Sequence, residues 1–246
     1  MSVVVRTHGG LGNQLFQILY ARLFASARSA PLFETHDIRY KHAFPRSSEL
    51  VVAPRPSAIP ATLSALRLPK VFTSLKMHCN AVSVLGVTCL DGYFQNTADF
   101  AEFDSMAIRQ HLIEIRDELG IATVPVRDHG VHLRLGDFFK SEAAVSAHLS
   151  SRIAHIGNGA GIVTNEEARL ATPEVTAVIA AAGAYIVPTS DMSAEAVLRT
   201  LASFHRVDGN DSTLLFWASV LSGMDCDFKT PELRELRGRF FQILGY

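Results

Sequence analysis

Apolar residues fall at Leu15, Phe16, Ile18, Leu19, Leu23 and Phe24, along one face of a 3.6-residue period. Before them stands the β-branched run Val3-Val4-Val5, and between the two lie Gly9, Gly10 and Gly12. The pattern predicts a buried strand, a glycine turn and a helix. Pro31 to Glu34 predicts a second, parallel strand. Residues 45–70 carry five of the ten prolines, which argues against long regular elements there. Val82 to Leu90 predicts a strand running into Asp91-Gly92-Tyr93-Phe94-Gln95, and a mostly polar helix follows over 98–119.

From Gly130 the rhythm becomes regular. Strands predicted at 131–135, 161–164, 184–187 and 205–207 alternate with helices at 141–155, 173–182, 194–204 and 212–221. A last helix starts at Pro231, a residue suited to a first helical position. Alternating β and α at this spacing indicates a parallel sheet with helices on both faces. The expected fold class is α/β, with two Rossmann-like halves, 1–125 and 126–246, joined near 120–128 and leaving a cleft between them.

Composition narrows the function classes. In 246 residues, 48% hydrophobic and 19% charged side chains argue against disorder, and a chain of this size needs no disulfide or structural metal. A net charge of −1 gives no global basic field for nucleic acid. The three cysteines, at 79, 89 and 226, form no CxxC pair, so no cysteine metal site is expected. The N-terminus does not look like a signal peptide, and no run approaches the ~18 apolar residues of a membrane span. A soluble cytoplasmic protein is expected. Arginine outnumbers lysine 18 to 5, and its planar fork suits phosphate recognition, although GC-rich codon usage gives the same skew.

Three segments carry candidate chemistry. At Gly9-Gly10-Leu11-Gly12, glycine lets backbone N–H groups approach a diphosphate or a sugar hydroxyl at a helix N-terminus; the alternative is a tight βα turn with no ligand. A dinucleotide fingerprint would need glycine where Leu15 stands, though Glu34 lies roughly where a ribose-binding acid belongs. In His132-Leu133-Arg134-Leu135-Gly136-Asp137, strand alternation puts Leu133 and Leu135 on one face and His132 and Arg134 on the other. A buried Arg134 needs an anionic partner, either an internal acid such as Asp137 or a bound diphosphate. Gly209-Asn210-Asp211-Ser212-Thr213 caps the following helix, and the same hydroxyl and N–H groups also suit phosphate oxygens.

Taken together these segments resemble glycosyltransferase family 11, the α-1,2-fucosyltransferases. GGLGNQLFQ at 9–17 is similar to that family's N-terminal signature, DGYFQN at 91–96 to its GYFQ/GYWQ segment, and HLRLGD at 132–137 to its HxRxGD motif. Residues 162–167 look like a drifted FVFSDD segment, and 210–217 resemble an NSTFSWW turn and helix. The resemblance implies a GT-B-like fold and a metal-independent transferase with GDP-fucose as donor, no separate cofactor, and a glycan acceptor held on the N-terminal half. It implies that Arg134 binds the donor diphosphate, that His132 lies against the nucleotide, and that Ser212 and Thr213 meet phosphate. Gly10, Gly12, Asn13 and Gln14 would face the cleft. The acid expected to read guanine falls on Val197, with Glu195 the nearest carboxylate. A second arginine common in the family's motif is Leu135 here.

Transfer of this type inverts the anomeric centre. It needs a cation to offset charge on the departing diphosphate, a role that suits Arg134, and a general base would take the acceptor's proton. Glu142 is the first candidate for the base, at a spacing similar to the catalytic Glu of related α-1,6-fucosyltransferases, and Asp137 the second. The alternatives are that Glu142 complements a helix dipole and that Asp137 orients Arg134. The default acceptor is galactose O2 in a surface glycan, with peripheral association to a lipid-linked chain. Two other readings stand beside this one: a dinucleotide-dependent oxidoreductase, and a catalytically silent nucleotide- or glycan-binding relative.

Overall fold

A computed structural model describes residues 2–36, 81–84, 87–135, 139, 141–156 and 158–246. The proline-rich stretch 45–70 lies outside them. The chain is α/β and divides into two units, Met1–Glu118 with Gly238–Tyr246, and Leu119–Arg237.

In the first unit, strand β1 (Ser2–Thr7) leads into helix α1 (Leu11–Ser26) and strand β2 (Leu32–His36). Val3, Val4 and Val5 are buried, as are Leu15, Phe16, Ile18 and Leu19 on the helix, so the predicted strand–turn–helix forms the core of this unit. Strands β3 (Ala81–Val84) and β4 (Val87–Leu90) complete a sheet ordered β2-β1-β4-β3. β1 is parallel to both β2 and β4, whereas β3 runs antiparallel to β4. The single strand expected over 82–90 is therefore two. Both arms carry valine, and Val84 faces Val87 across the hairpin, so the apolar pattern runs on through the reversal.

The helix expected over 98–119 is also interrupted. A 3₁₀ turn covers Thr97–Phe100, and helix α2 (Ser105–Glu118) starts afresh. Asp104 explains the restart, since its Oδ1 accepts from the N–H groups of Met106 (2.8 Å) and Ala107 (3.2 Å). Ile108, Leu112 and Ile115 form the buried stripe of α2, which packs on α1.

The second unit contains β5 (Arg127–Leu133), α3 (Glu142–Ile156), β6 (Gly161–Thr164), a 3₁₀ turn (Glu167–Ala171) and α4 (Pro173–Ala181). It continues through β7 (Tyr185–Ile186), α5 (Ala194–Ala202), β8 (Phe204–Gly209) and α6 (Thr213–Ser222). All four described strands are parallel, in the order β7-β6-β5-β8. Val131, Leu133 and Ile162 pack against Val145, Leu149 and Ile153 of α3 and Val175 and Ile179 of α4. Helices α5 and α6 pack on one another. β7 is shorter than predicted because it is an edge strand whose Tyr185 and Ile186 stay exposed. Helix α7 (Pro231–Leu244) starts in this unit, and its last turns belong to the first, where the Phe240 ring meets Phe100 edge-on at 5.3 Å.

Each sheet has a point where the strand order reverses. The chain passes from β1 to β2 on one side and returns to β4 on the other; likewise β5 leads through β6 to β7, and β8 returns on the far side of β5. The crevice at the carboxyl ends of the strands flanking such a reversal is where open α/β sheets bind ligands.

Candidate functional site

Two of the three chemistry-bearing segments meet at the reversal in the second unit. His132 pairs in register with Gly209, and the Asn210 N–H donates to the His132 carbonyl at 3.4 Å. Strand contact here is unusually close. A Cβ on residue 209 would lie 2.5 Å from that carbonyl oxygen and 3.0 Å from the His132 Cβ, so only glycine fits.

His132 is buried, and its Nδ1 has no hydrogen-bond partner among the described residues. Burial, then the nearby Arg134 charge, lowers its pKa to about 4, which leaves the imidazole neutral at pH 7. Arg134 is not the buried strand residue expected from the alternation. β5 ends at Leu133, and Arg134 lies just past the carboxyl end, exposed, while Leu133 and Leu135 are buried as predicted.

Ser212 caps α6, its Oγ accepting from the Leu215 N–H at 3.1 Å, and Thr213 opens the helix. Asp211 turns the other way. It accepts from the Lys229 N–H at 3.1 Å and from the N–H and hydroxyl of Thr230. Burial pushes its pKa up, but these bonds outweigh that and hold it below the usual carboxylate value. Asn210 lies beside His148 of α3, and Arg152 of the same helix pairs with Asp208 at the end of β8.

Asp137 lies outside the described residues. Glu142 stands in the first turn of α3, where its Oε1 accepts from Arg169 Nε at 3.1 Å. Glu195 occupies the first turn of α5, beside α6, and makes no hydrogen bond or ion pair among the described residues.

Sequence reasoning missed Arg169. Its guanidinium donates to the carbonyls of Leu135 (3.0 Å) and Phe139 (3.2 Å) and pairs with Glu142 and Glu166, so one side chain clamps both ends of the segment that follows Arg134. Only the Glu166 pairing is local; Glu142, Leu135 and Phe139, which make the clamp, lie 27 to 34 positions away, so the sequence gives no signal for it.

At the reversal in the first unit the glycine turn meets the DGYFQN segment. Gly9 has φ +80°, and a Cβ there would lie 2.7 Å from Asn13 Nδ2, so the bare backbone lets the Asn13 amide lie against the turn. Gly10 is exposed, but Gly12 and Gln14 are buried. The expectation that Gln14 faces outward is corrected: it supports the turn from inside, Nε2 donating to the Gly9 carbonyl at 2.7 Å.

Charges here are satisfied internally. Arg6 pairs with Asp91 at 3.1 Å, and His8 Nδ1 lies 3.7 Å from the same carboxylate. Gln17 accepts from the His8 N–H at 3.0 Å and places its Nε2 3.2 Å from His8 Nδ1. Glu34, weighed above as a ribose-binding acid, is buried and accepts from the Thr7 hydroxyl at 2.7 Å. Among the described residues no three His, Cys, Asp or Glu side chains group to hold a metal ion, and no described helix is long and apolar enough to cross a membrane.

No family model matches the chain, and no curated protein sequence matches it. Solved structures do. One is the E. coli heptosyltransferase WaaC with ADP-2-deoxy-2-fluoro heptose, at 13% identity over 93% of this chain and 88% of that one, with a TM-score of 0.46. Another is the NodZ α-1,6-fucosyltransferase co-crystallised with GDP, at 18% identity over 89% and 92%, with a TM-score of 0.49. A third is POFUT1 in complex with GDP-fucose, at 10% identity over 93% and 98%, with a TM-score of 0.48.

Proposed function

We propose that the protein is an inverting glycosyltransferase that moves L-fucose from GDP-fucose to a glycan hydroxyl, with galactose O2 as the acceptor position. The observation that carries this reading is the placement of Arg134. It stands exposed at the carboxyl end of β5, at a strand-order reversal, next to a buried neutral imidazole and across a close strand contact from the loop that starts α6. A guanidinium and a helix N-terminus at the carboxyl ends of two paired strands are both groups suited to a diphosphate.

In this reading Arg134 and the α6 N-terminus, with Ser212 and Thr213, hold the diphosphate and stabilise its growing charge as the anomeric C–O bond breaks. His132, buried and uncharged, is placed in this reading against the nucleotide. Glu195 is the carboxylate proposed to read the base. An acceptor hydroxyl attacks the anomeric carbon from the opposite face and loses its proton to Glu142 or Asp137. The ion pair with Arg169 holds the Glu142 carboxylate in place at the start of α3. The glycine turn and Asn13 belong to the acceptor side, and the chemistry is proposed to run without a metal, in the cytoplasm, on a free or lipid-linked glycan.

The test is nucleotide release from a panel of GDP- and UDP-sugars, with and without lactose-type acceptors. Replacing Arg134 with Ala should remove ~3 kcal/mol or more of transition-state stabilisation, at least a hundredfold in rate, while the protein stays folded. Near-normal turnover in R134A, or release from none of the donors, refutes the assignment.

A further inference from the structure

The first unit's strand-order reversal presents a surface different in kind from that of the second. Gln95 Nε2 donates to Asn13 Oδ1 at 3.0 Å. That bond fixes both amides and leaves Asn13 Nδ2 and Gln95 Oε1 with no hydrogen bond among the described residues. Asn13 and Gln95 are both part-exposed. The pair offers one donor and one acceptor side by side.

Next to it stands Tyr93, 47% exposed, its ring 4.8 Å from that of the buried His8. Between Tyr93 and Gln95 the backbone is strained, because Phe94 is a non-glycine residue with φ +49°. Its ring is buried and stacks on Tyr20 at 3.9 Å, nearly coplanar, which locks the turn. Strain held by surrounding packing is characteristic of sites where side chains must be aimed. Here it turns Phe94 inward, leaving Tyr93 at the surface and Gln95 on the Asn13 amide.

We infer that Tyr93, Gln95 and Asn13 form a pyranose subsite, with the ring covering the apolar face of a sugar and the amide pair reading two adjacent hydroxyls. A hydroxyl both donates and accepts, so two neighbouring hydroxyls complement a neighbouring donor and acceptor. An exposed aromatic ring supplies apolar contact with little entropy lost. The absence of net charge at the amide pair suits a neutral polyol. The inference deepens the transferase reading by naming residues that seat its acceptor, and it rests on that reading for what happens to the bound sugar.

The experiment is saturation-transfer NMR with methyl galactoside, glucoside, mannoside and fucoside on wild type, Y93A, Y93F and Q95A. Melting temperature and GDP binding are measured on the same samples. At least one glycoside should receive saturation from wild type and Y93F, with affinity falling about tenfold in Y93A and in Q95A while melting and GDP binding hold. No glycoside bound to wild type, equal binding in Y93A and Q95A, or a loss matched by lower melting temperature overturns the subsite. Sugar binding that depends on these residues in a protein that turns over no nucleotide-sugar leaves the subsite standing and removes the transferase reading instead.

Discussion

Replacing Gly209 with Ala probes the contact that joins the two segments of the second unit's site. The new methyl carbon would lie 2.5 Å from the His132 carbonyl oxygen and 3.3 Å from its carbonyl carbon. Ordinary contact starts near 3.4 Å, so the strands must part by roughly 0.9 Å, and both sides of the clash are backbone or Cβ atoms that no rotamer change can move. Such overpacking costs about 1–3 kcal/mol. The Asn210-to-His132 hydrogen bond, already 3.4 Å long, is lost as well, at about 1 kcal/mol. The lower backbone entropy of alanine in the unfolded chain returns about 0.4–1 kcal/mol. The net loss is about 1–4 kcal/mol, a fall in Tm of roughly 2–4 °C for each kcal/mol. A shift of this size between His132 and the α6 N-terminus should also cut turnover by about a hundredfold. Thermal melts and nucleotide release measure both effects. G10A is the control, because a Cβ at Gly10 meets nothing within 4 Å and should leave the melt unchanged. A G209A protein that melts and turns over like wild type refutes the strand-contact argument.

The buried His132 sets a pH dependence. Its folded pKa of about 4 lies below the ordinary histidine value of 6.5. Between those values the unfolded chain holds a proton that the folded chain does not, so acidification through that window removes up to about 3 kcal/mol of stability. Urea unfolding at pH 4.5 and 7 should show that difference shrinking in H132N; an unchanged pH slope contradicts it. R169A should lower stability by about 2 kcal/mol through its two lost carbonyl bonds and reduce turnover, and R169K should recover only part because one ammonium cannot reach both carbonyls. Full activity in R169A would show that the clamp is dispensable. Burial pushes the Cys226 thiol up to about 12, so it should resist Ellman's reagent at pH 8 until the protein is unfolded; rapid labelling of the native state counts against that.

The elements legible in the sequence are those whose signal is local. α1 follows from its helical period, and β6 lies at Gly161–Thr164, the predicted positions. What stayed hidden depends on residues far apart in the chain. Arg6 and Asp91 are 85 positions apart, Asn13 and Gln95 are 82, and no periodicity connects them. The β3–β4 reversal had one local mark, Gly86 between the two arms, but the apolar run continues across it and hid the turn. Gln14 is a different kind of miss. It follows Asn13 on a helix, where consecutive side chains point about 100° apart, and that step carries Gln14 onto the Gly9 carbonyl while Asn13 stays part-exposed. In the second unit, strand alternation put Leu133 and Leu135 correctly in the core, but it said nothing of where hydrogen bonding stops, and that end point decides whether Arg134 is buried or exposed.

The two reversals differ in how they treat charge, and the difference bears on what each binds. In the first unit Arg6 is paired with Asp91, Glu34 is bonded to Thr7, and the groups at the surface are two amides and a phenol. A dianion would find no exposed cation in that set, whereas a sugar would find hydrogen-bond partners that need little reorganisation. In the second unit the guanidinium of Arg134 is exposed and the imidazole behind it is uncharged. That neutrality matters. A protonated His132 would be a buried positive charge beside another, raising the energy of the empty site and making donor binding fall as pH rose through its titration. With the proton absent above about pH 4, the affinity of this site for a diphosphate should be flat from pH 7 to 9 as far as His132 is concerned. GDP titrations across that range, in wild type and H132N, test the point: a drop in wild type that H132N abolishes would show that the imidazole carries charge after all.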